Sequence, residues 1–149
     1  MQSQKEQRWA ELTDAIFACA VPLASRPAVA QVPVPSLAVG LVGSTGRVVR
    51  VPESAKGVVR MAAALLQEEW PQAIFTTLQI NRGFGAQPHV DAYNVGLSYT
   101  CSVGDFERGG LWLANPFGCT KVRMPQLGAS LSHLSGCVLR GRVTDTRCA

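Results

Sequence analysis

Between residues 74 and 116 the chain alternates short apolar segments with turns that contain glycine. Residues 74–80, 95–103 and 111–113 are rich in β-branched and aromatic side chains and are bounded by turn-forming residues, which is typical of β-strands. Short strands joined by tight turns pair most readily in antiparallel order. This stretch therefore predicts an antiparallel sheet as the centre of the fold.

A helix is predicted ahead of the sheet. Trp9, Leu12 and Ile16 recur at helical spacing, and charged residues occupy the other faces, so residues 4–20 read as an amphipathic helix that packs on a sheet. The segment that follows is predicted to be a stiff, extended linker because it carries four prolines, Pro22, Pro27, Pro33 and Pro35. We therefore expect an N-terminal helix and proline-rich linker over residues 1–36 and a sheet-forming domain over residues 37–149.

A β-hairpin and a second helix are predicted between the linker and the sheet. Residues 37–42 and 47–51 are apolar and flank the sequence Gly-Ser-Thr-Gly, which favours a hairpin. Apolar residues at helical spacing then predict a helix over residues 55–69, with Ser54 as its N-cap and Trp70-Pro71 at its end. The residues alone thus predict an α+β fold with an antiparallel sheet.

Composition limits the class of protein. The 149 residues are 47% hydrophobic and 16% charged, which excludes an intrinsically disordered chain and allows a sizeable core. The net charge of +4 is compatible with a polyanionic partner such as nucleic acid, although no run of Lys or Arg forms a basic stripe.

The cysteines and the apolar segments indicate in which cellular compartment the protein is expected. Five cysteines, an odd number without close pairing, predict neither a disulfide framework nor a zinc site. No apolar run is long enough to span a membrane. Residues 15–24 follow three acidic residues, which a secretory signal does not tolerate well, so they are predicted to end a helix. We expect an intracellular protein, cytoplasmic or nuclear.

His89 and Asp91 are the candidate metal ligands. They stand two positions apart, and on an extended backbone residues at this spacing point to the same side, where they can bind one metal ion. They would supply two of the three ligands of the facial triad, two histidines and one carboxylate, which holds non-haem Fe(II). An isolated pair of this kind is more often a solvated His and Asp at a strand end, so the motif depends on its surroundings.

Those surroundings carry a resemblance to a known family. The motifs are Asn81-Arg82, then His89-x-Asp91-x-x-Asn94-x-Gly96-x-Ser98, then Gly104-Asp105-Phe106-x-x-Gly109-Gly110-x-Trp112. Together they resemble the 2-oxoglutarate/Fe(II)-dependent dioxygenase superfamily, in its branch of TET/JBP-like nucleic-acid hydroxylases. The resemblance is dense over residues 74–116, thinner over residues 37–70, and fades after Met124.

The resemblance implies a fold and an activity. The fold is a double-stranded β-helix (jelly-roll) with the N-terminal helices packed on one sheet, incomplete at the C-terminus. The cofactors are Fe(II), bound by His89 and Asp91, and 2-oxoglutarate, with O2 as co-substrate. The reaction is hydroxylation of a C–H bond, on a nucleic-acid base or, alternatively, on a protein side chain. Tyr93, Asn94 and Arg142 are the candidates for contact with 2-oxoglutarate.

The third ligand is the open question of this reading. The chain has one other histidine, His133, and Arg140 and Arg142 follow it. Residues 139–146, however, resemble the segment that relatives place before the strand with the distal histidine, which favours a chain that stops short of that strand. The alternatives are therefore a dioxygenase domain that uses His133, one whose third ligand lies beyond Ala149, and a non-catalytic β-helix scaffold or interaction module. A cupin-like protein would show several histidines near the first metal strand.

Overall fold

The computed structural model describes residues 3–43, 45–90, 93, 95–105, 110–123, 133–139 and 143–146, and from residue 121 onward it describes the strands by their backbone pairing. Within these residues there are two α-helices, one short 3₁₀ helix (Glu53–Ala55) and nine strands. The helices are α1 (Gln4–Ala18) and α2 (Lys56–Glu69). The strands are β1 (Leu23–Ala24), β2 (Val34–Val42), β3 (Arg47–Val49), β4 (Thr77–Asn81), β5 (Ser98–Cys101), β6 (Leu111–Ala114), β7 (Thr120–Arg123), β8 (His133–Leu139) and β9 (Val143–Thr146).

The contacts divide the chain into two compact units. The first comprises Met1–Ser25 and Val32–Phe84, and the second comprises Arg26–Gln31 and Gly85–Ala149. The predicted division at residue 36 stays a prediction. Helix α1 and strand β2 belong to the same compact unit.

Helix α1 begins at a capping box. The Ser3 hydroxyl accepts a hydrogen bond from the backbone N–H of Glu6 at 3.2 Å, and the Glu6 carboxylate accepts one from the backbone N–H of Ser3 at 2.8 Å. This reciprocal pair satisfies two N–H groups that have no partner within the helix. The predicted N-terminal helix is confirmed, and it ends at Ala18.

The proline-rich segment differs from the predicted linker because part of it pairs with the sheet. Leu23 and Ala24 of β1 pair with Pro35 and Val34 of β2. The backbone N–H of Ser36 donates to the carbonyl of Pro22 at 3.0 Å. Proline lacks an N–H but keeps its carbonyl as an acceptor and prefers an extended backbone, so it is compatible with a strand that pairs at an edge.

Strand β2 organises the sheet of the first unit. It pairs antiparallel with β3 through residues 40–42, as the predicted hairpin requires, and with β4 through residues 36–40. The hairpin is confirmed.

Helix α2 is confirmed as well, but its N-cap is Ala55 and not Ser54. Ala55 makes no side-chain capping bond. The 3₁₀ helix before α2 closes its own turn, since the N–H of Ala55 donates to the carbonyl of Pro52 at 3.0 Å.

The core of the first unit lies between the helices and this sheet. Leu12 of α1 and Leu65 of α2 are 2% and 1% exposed and pack in one cluster with Leu37 and Val39 of β2 and Ile80 of β4. Leu37 and Val39 share a face because side chains alternate along a strand. Two ion pairs, Lys5–Glu69 at 2.5 Å and Arg8–Glu68 at 2.6 Å, join the exposed sides of the helices. The packing of the N-terminal helices on one sheet is thus observed.

The second unit contains two further antiparallel sheets. Strand β5 pairs with β9, and β8 pairs with β6 through residues 136–139 and with β7 through residues 133–136. The indole N–H of Trp112 in β6 donates to the carbonyl of Thr120 in β7 at 3.2 Å. The α+β class is therefore observed, with small open antiparallel sheets, and among the described strands no closed barrel is formed.

Candidate functional site

His89 lies in the segment between β4 and β5, in the second compact unit. The sequence interpretation places it on an extended segment, and residues 82–90 belong to no helix or strand. Pro88, directly before His89, has no N–H to donate to a neighbouring strand. The position of His89 therefore depends on contacts other than strand pairing.

The imidazole of His89 is held by a backbone carbonyl. Its Nδ1 lies 2.8 Å from the carbonyl oxygen of Gln87, and the side chain is half-buried. A carbonyl oxygen only accepts, so the proton of the neutral ring is on Nδ1 and the lone pair is on Nε2. In metal sites a histidine ligand commonly donates its other N–H to a carbonyl or carboxylate, which fixes the tautomer and the ring orientation. The arrangement matches a histidine that binds a metal through Nε2.

Gln87 is itself anchored to a distant turn. Its backbone N–H donates to the carbonyl of Val29 at 2.8 Å, and its side-chain amide donates to the carbonyl of Pro27 at 3.2 Å. Val29 is 3% exposed. Sequence reasoning missed Gln87, because nothing in the residues around it indicates a hydrogen-bond partner sixty positions away in the chain.

The remaining candidate ligands are described in part or not at all. Asp91, Asn94 and Arg142 lie outside the described residues, so the convergence of His89 and Asp91 stays a prediction. Tyr93 is 66% exposed. His133 begins β8, where its backbone pairs with that of Arg123. Among the side chains that the structure describes, no three of the His, Cys, Asp and Glu residues form a metal-binding group.

The motif residues Asn81 and Arg82 have structural partners. The Asn81 side-chain carbonyl accepts hydrogen bonds from the Ser36 hydroxyl at 2.8 Å and from the Gln79 amide at 2.9 Å. Arg82 donates through Nη1 to the carbonyls of Phe17 and Cys19, at 3.1 and 2.9 Å. Arg82 thus contacts the C-terminal end of α1.

Comparisons of this chain with protein-family models, with characterised proteins and with solved structures gave no match. The resemblance to the dioxygenases therefore depends on the sequence motifs alone. None of the helices in the described part of the chain has the length and apolar character needed to cross a membrane.

Proposed function

We propose that this chain is an Fe(II)/2-oxoglutarate-dependent dioxygenase-like domain in which His89 and Asp91 bind the iron. The observation that carries the proposal is the 2.8 Å contact between His89 Nδ1 and the Gln87 carbonyl. With the proton of the neutral ring held on Nδ1, the lone pair is on Nε2, and we propose that His89 binds the metal through this nitrogen. The finer fold that we propose with it is a double-stranded β-helix built on the antiparallel strands of the second unit.

The chemistry of the two side chains fits a ferrous ion. A neutral imidazole and a carboxylate are the ligand types of the facial triad, which keeps positions open for a co-substrate and O2. His89 would contribute its Nε2 lone pair, and Asp91 would contribute a negative charge that partly neutralises the metal. When bound, the iron and 2-oxoglutarate supply the oxidising power for hydroxylation of a C–H bond, while the protein positions the reactants.

The number of histidines in the chain limits which residue can be the third ligand. The chain has two in all, so a triad of two histidines and one carboxylate formed within this chain must use both His89 and His133. Both belong to the second compact unit. The proposal takes a histidine outside this chain as the third ligand or, alternatively, His133; Arg142, Asn94 and Tyr93 remain its candidates for contact with 2-oxoglutarate.

The proposed substrate class is a nucleic-acid base. The net charge of +4 favours approach of a polyanion, and a base would have to leave its stack to reach the iron. A protein side chain is the alternative substrate, since one fold serves many substrates.

An anaerobic titration tests the metal centre. We expect Fe(II) and 2-oxoglutarate added to the chain to produce a visible metal-to-ligand charge-transfer band, and His89→Ala to abolish it because a ligand is lost. Gln72→Ala is the matched control, since Gln72 is exposed and lies outside the candidate site. A band of equal intensity in His89→Ala would exclude His89 as a ligand.

The same titration locates the third ligand. If His133 binds the iron, His133→Ala weakens the band to the same degree as His89→Ala. If the band persists in His133→Ala and is lost in Asp91→Asn, the iron is held by His89 and Asp91 with the third position open to solvent or to another chain.

A second candidate function is a non-catalytic scaffold or interaction module. The low histidine count favours it, because a triad formed within this chain would need both of its histidines, His89 and His133. This candidate predicts that no charge-transfer band forms at any Fe(II) concentration, although the chain stays folded.

A further inference from the structure

We propose that Gln87 is a positioning residue for the His89 imidazole, and that it acts by tying the His89 loop to the turn at residues 26–30. The inference rests on the proposed metal site and adds a residue that neither the motifs nor the family resemblance includes. It assigns a function to a turn that precedes His89 by about sixty residues.

Gln87 makes three hydrogen bonds with three different partners. Its N–H donates to the Val29 carbonyl at 2.8 Å, its side-chain amide donates to the Pro27 carbonyl at 3.2 Å, and its own carbonyl accepts from His89 Nδ1 at 2.8 Å. Two bonds fix the position of the residue, and the third passes that position to the imidazole. The contact with the Gln87 carbonyl therefore helps to orient the ring.

The turn that receives Gln87 is internally braced. The N–H groups of Val29 and Ala30 donate to the carbonyl of Arg26 at 2.8 and 2.9 Å. Pro27 has a fixed φ angle, and the Val29 side chain is buried. The two carbonyls that accept from Gln87 are consequently held in place before the bonds form, as the second shell of a metal site requires.

The consequence for metal binding is a choice of tautomer. With the Gln87 carbonyl at hydrogen-bond distance, the proton stays on Nδ1 and Nε2 keeps its lone pair. If Gln87 moves, the ring can carry its proton on Nε2 instead, and that form cannot bind a metal through Nε2. Loss of a second-shell partner commonly lowers metal affinity by about 10–100-fold.

The variants separate this role from simple loss of structure. Gln87→Glu keeps the length of the side chain and the backbone N–H, but places an acceptor against the Pro27 carbonyl. Gln87→Ala removes the side-chain bond without adding repulsion. Gln72→Ala, at an exposed glutamine, is the matched control. Circular dichroism establishes that each variant is folded.

The first measurement needs no metal. Nitrogen-15 NMR of the imidazoles at about pH 9, where histidines are neutral, should show His89 in the wild-type chain with its proton on Nδ1. We expect Gln87→Glu and Gln87→Ala to shift a substantial fraction to Nε2, with no change at His133. An unchanged His89 tautomer in both folded variants would overturn the proposal.

The second measurement uses Mn(II) as the probe, with electron paramagnetic resonance to count bound metal. We expect Mn(II) affinity to fall about 10-fold in Gln87→Glu and to be unchanged in Gln72→Ala. If the wild-type chain binds no Mn(II) while the tautomer still responds to Gln87, the metal site is wrong and the positioning role stands. If the chain binds Mn(II) and both Gln87 variants behave as wild type, the positioning role is wrong and the metal site stands.

Discussion

Arg82 shows how one side chain can join parts of the chain that are distant in sequence. Its guanidinium donates to the carbonyls of Phe17 and Cys19, at the C-terminal end of α1, while its backbone N–H donates to the carbonyl of Pro35 at 3.1 Å. The last carbonyls of a helix have no partner within it, and a cation there also interacts favourably with the helix dipole. Arg82 therefore secures α1 against the end of β4.

The contact of Arg82 with the end of α1 leads to a prediction about the free energy of unfolding. Arg82→Ala should lower the free energy of unfolding by about 1–2 kcal/mol, because hydrogen bonds from a charged donor to the helix end are lost. Arg50→Ala is the control: Arg50 is exposed beyond the end of β3, and its replacement should change the free energy by less than about 0.5 kcal/mol. Urea denaturation followed by circular dichroism measures both, and equal effects would show that the helix-end contact contributes nothing.

Strand β2 depends on a glycine where β4 approaches it. Gly40 has φ +92°, and a Cβ at this position would lie 2.1 Å from the carbonyl oxygen of Thr76. That same oxygen accepts a hydrogen bond from the N–H of Leu41 at 2.9 Å. The strands can come this close only because residue 40 has no side chain.

Gly40→Ala should therefore destabilise the protein by more than the left-handed backbone alone would. We expect a loss of about 2–3 kcal/mol or more, since strain and overlap with backbone act together. Gly46→Ala is a matched control, because Gly46 also has a positive φ of +62° but no atom within 4 Å of the added Cβ; about 1 kcal/mol is expected there. The difference between the two variants in thermal and urea unfolding isolates the overlap, and equal losses would disprove it.

The first compact unit is stabilised mainly by its apolar core. The charge pairs between α1 and α2 lie on the surface, where such pairs contribute at most about 1 kcal/mol each. Leu65, in contrast, is 1% exposed and sits among residues of α1, β2 and β4. The cluster to which it belongs includes residues of both helices and of the sheet.

Leu65→Ala should accordingly cost about 2–5 kcal/mol, the range for a buried leucine that leaves a cavity. Leu23→Ala removes the same atoms from a side chain that is 71% exposed, and its effect should stay within about 0.5 kcal/mol. Comparison of the urea midpoints tests this, and a small loss for Leu65→Ala would mean that the core relaxes to fill the space.

The local elements were predictable because their signals are local. The apolar spacing of Trp9, Leu12 and Ile16 is a property of a few consecutive turns, and the structure has α1 there. The same holds for the hairpin of β2 and β3, whose turn residues stand between two apolar runs. The predicted cap at Ser54 is wrong for an equally local reason: Ser54 lies inside the 3₁₀ helix Glu53–Ala55, and Ala55 is the N-cap of α2.

In the candidate site, too, some features could be predicted from the sequence and others depend on contacts between distant parts of the chain. The sequence predicted His89 and Asp91 as metal ligands from residue type and spacing, which are readable along the chain, and this stays a prediction. It could not indicate the Gln87 carbonyl as the group that orients His89, nor the turn that holds Gln87. The bond from Gln87 to Pro27 and the bond from Arg82 to Phe17 span 60 and 65 residues. Contacts at such separations follow from the path of the whole chain and not from the propensities of the residues that make them, since many paths satisfy the same local pattern.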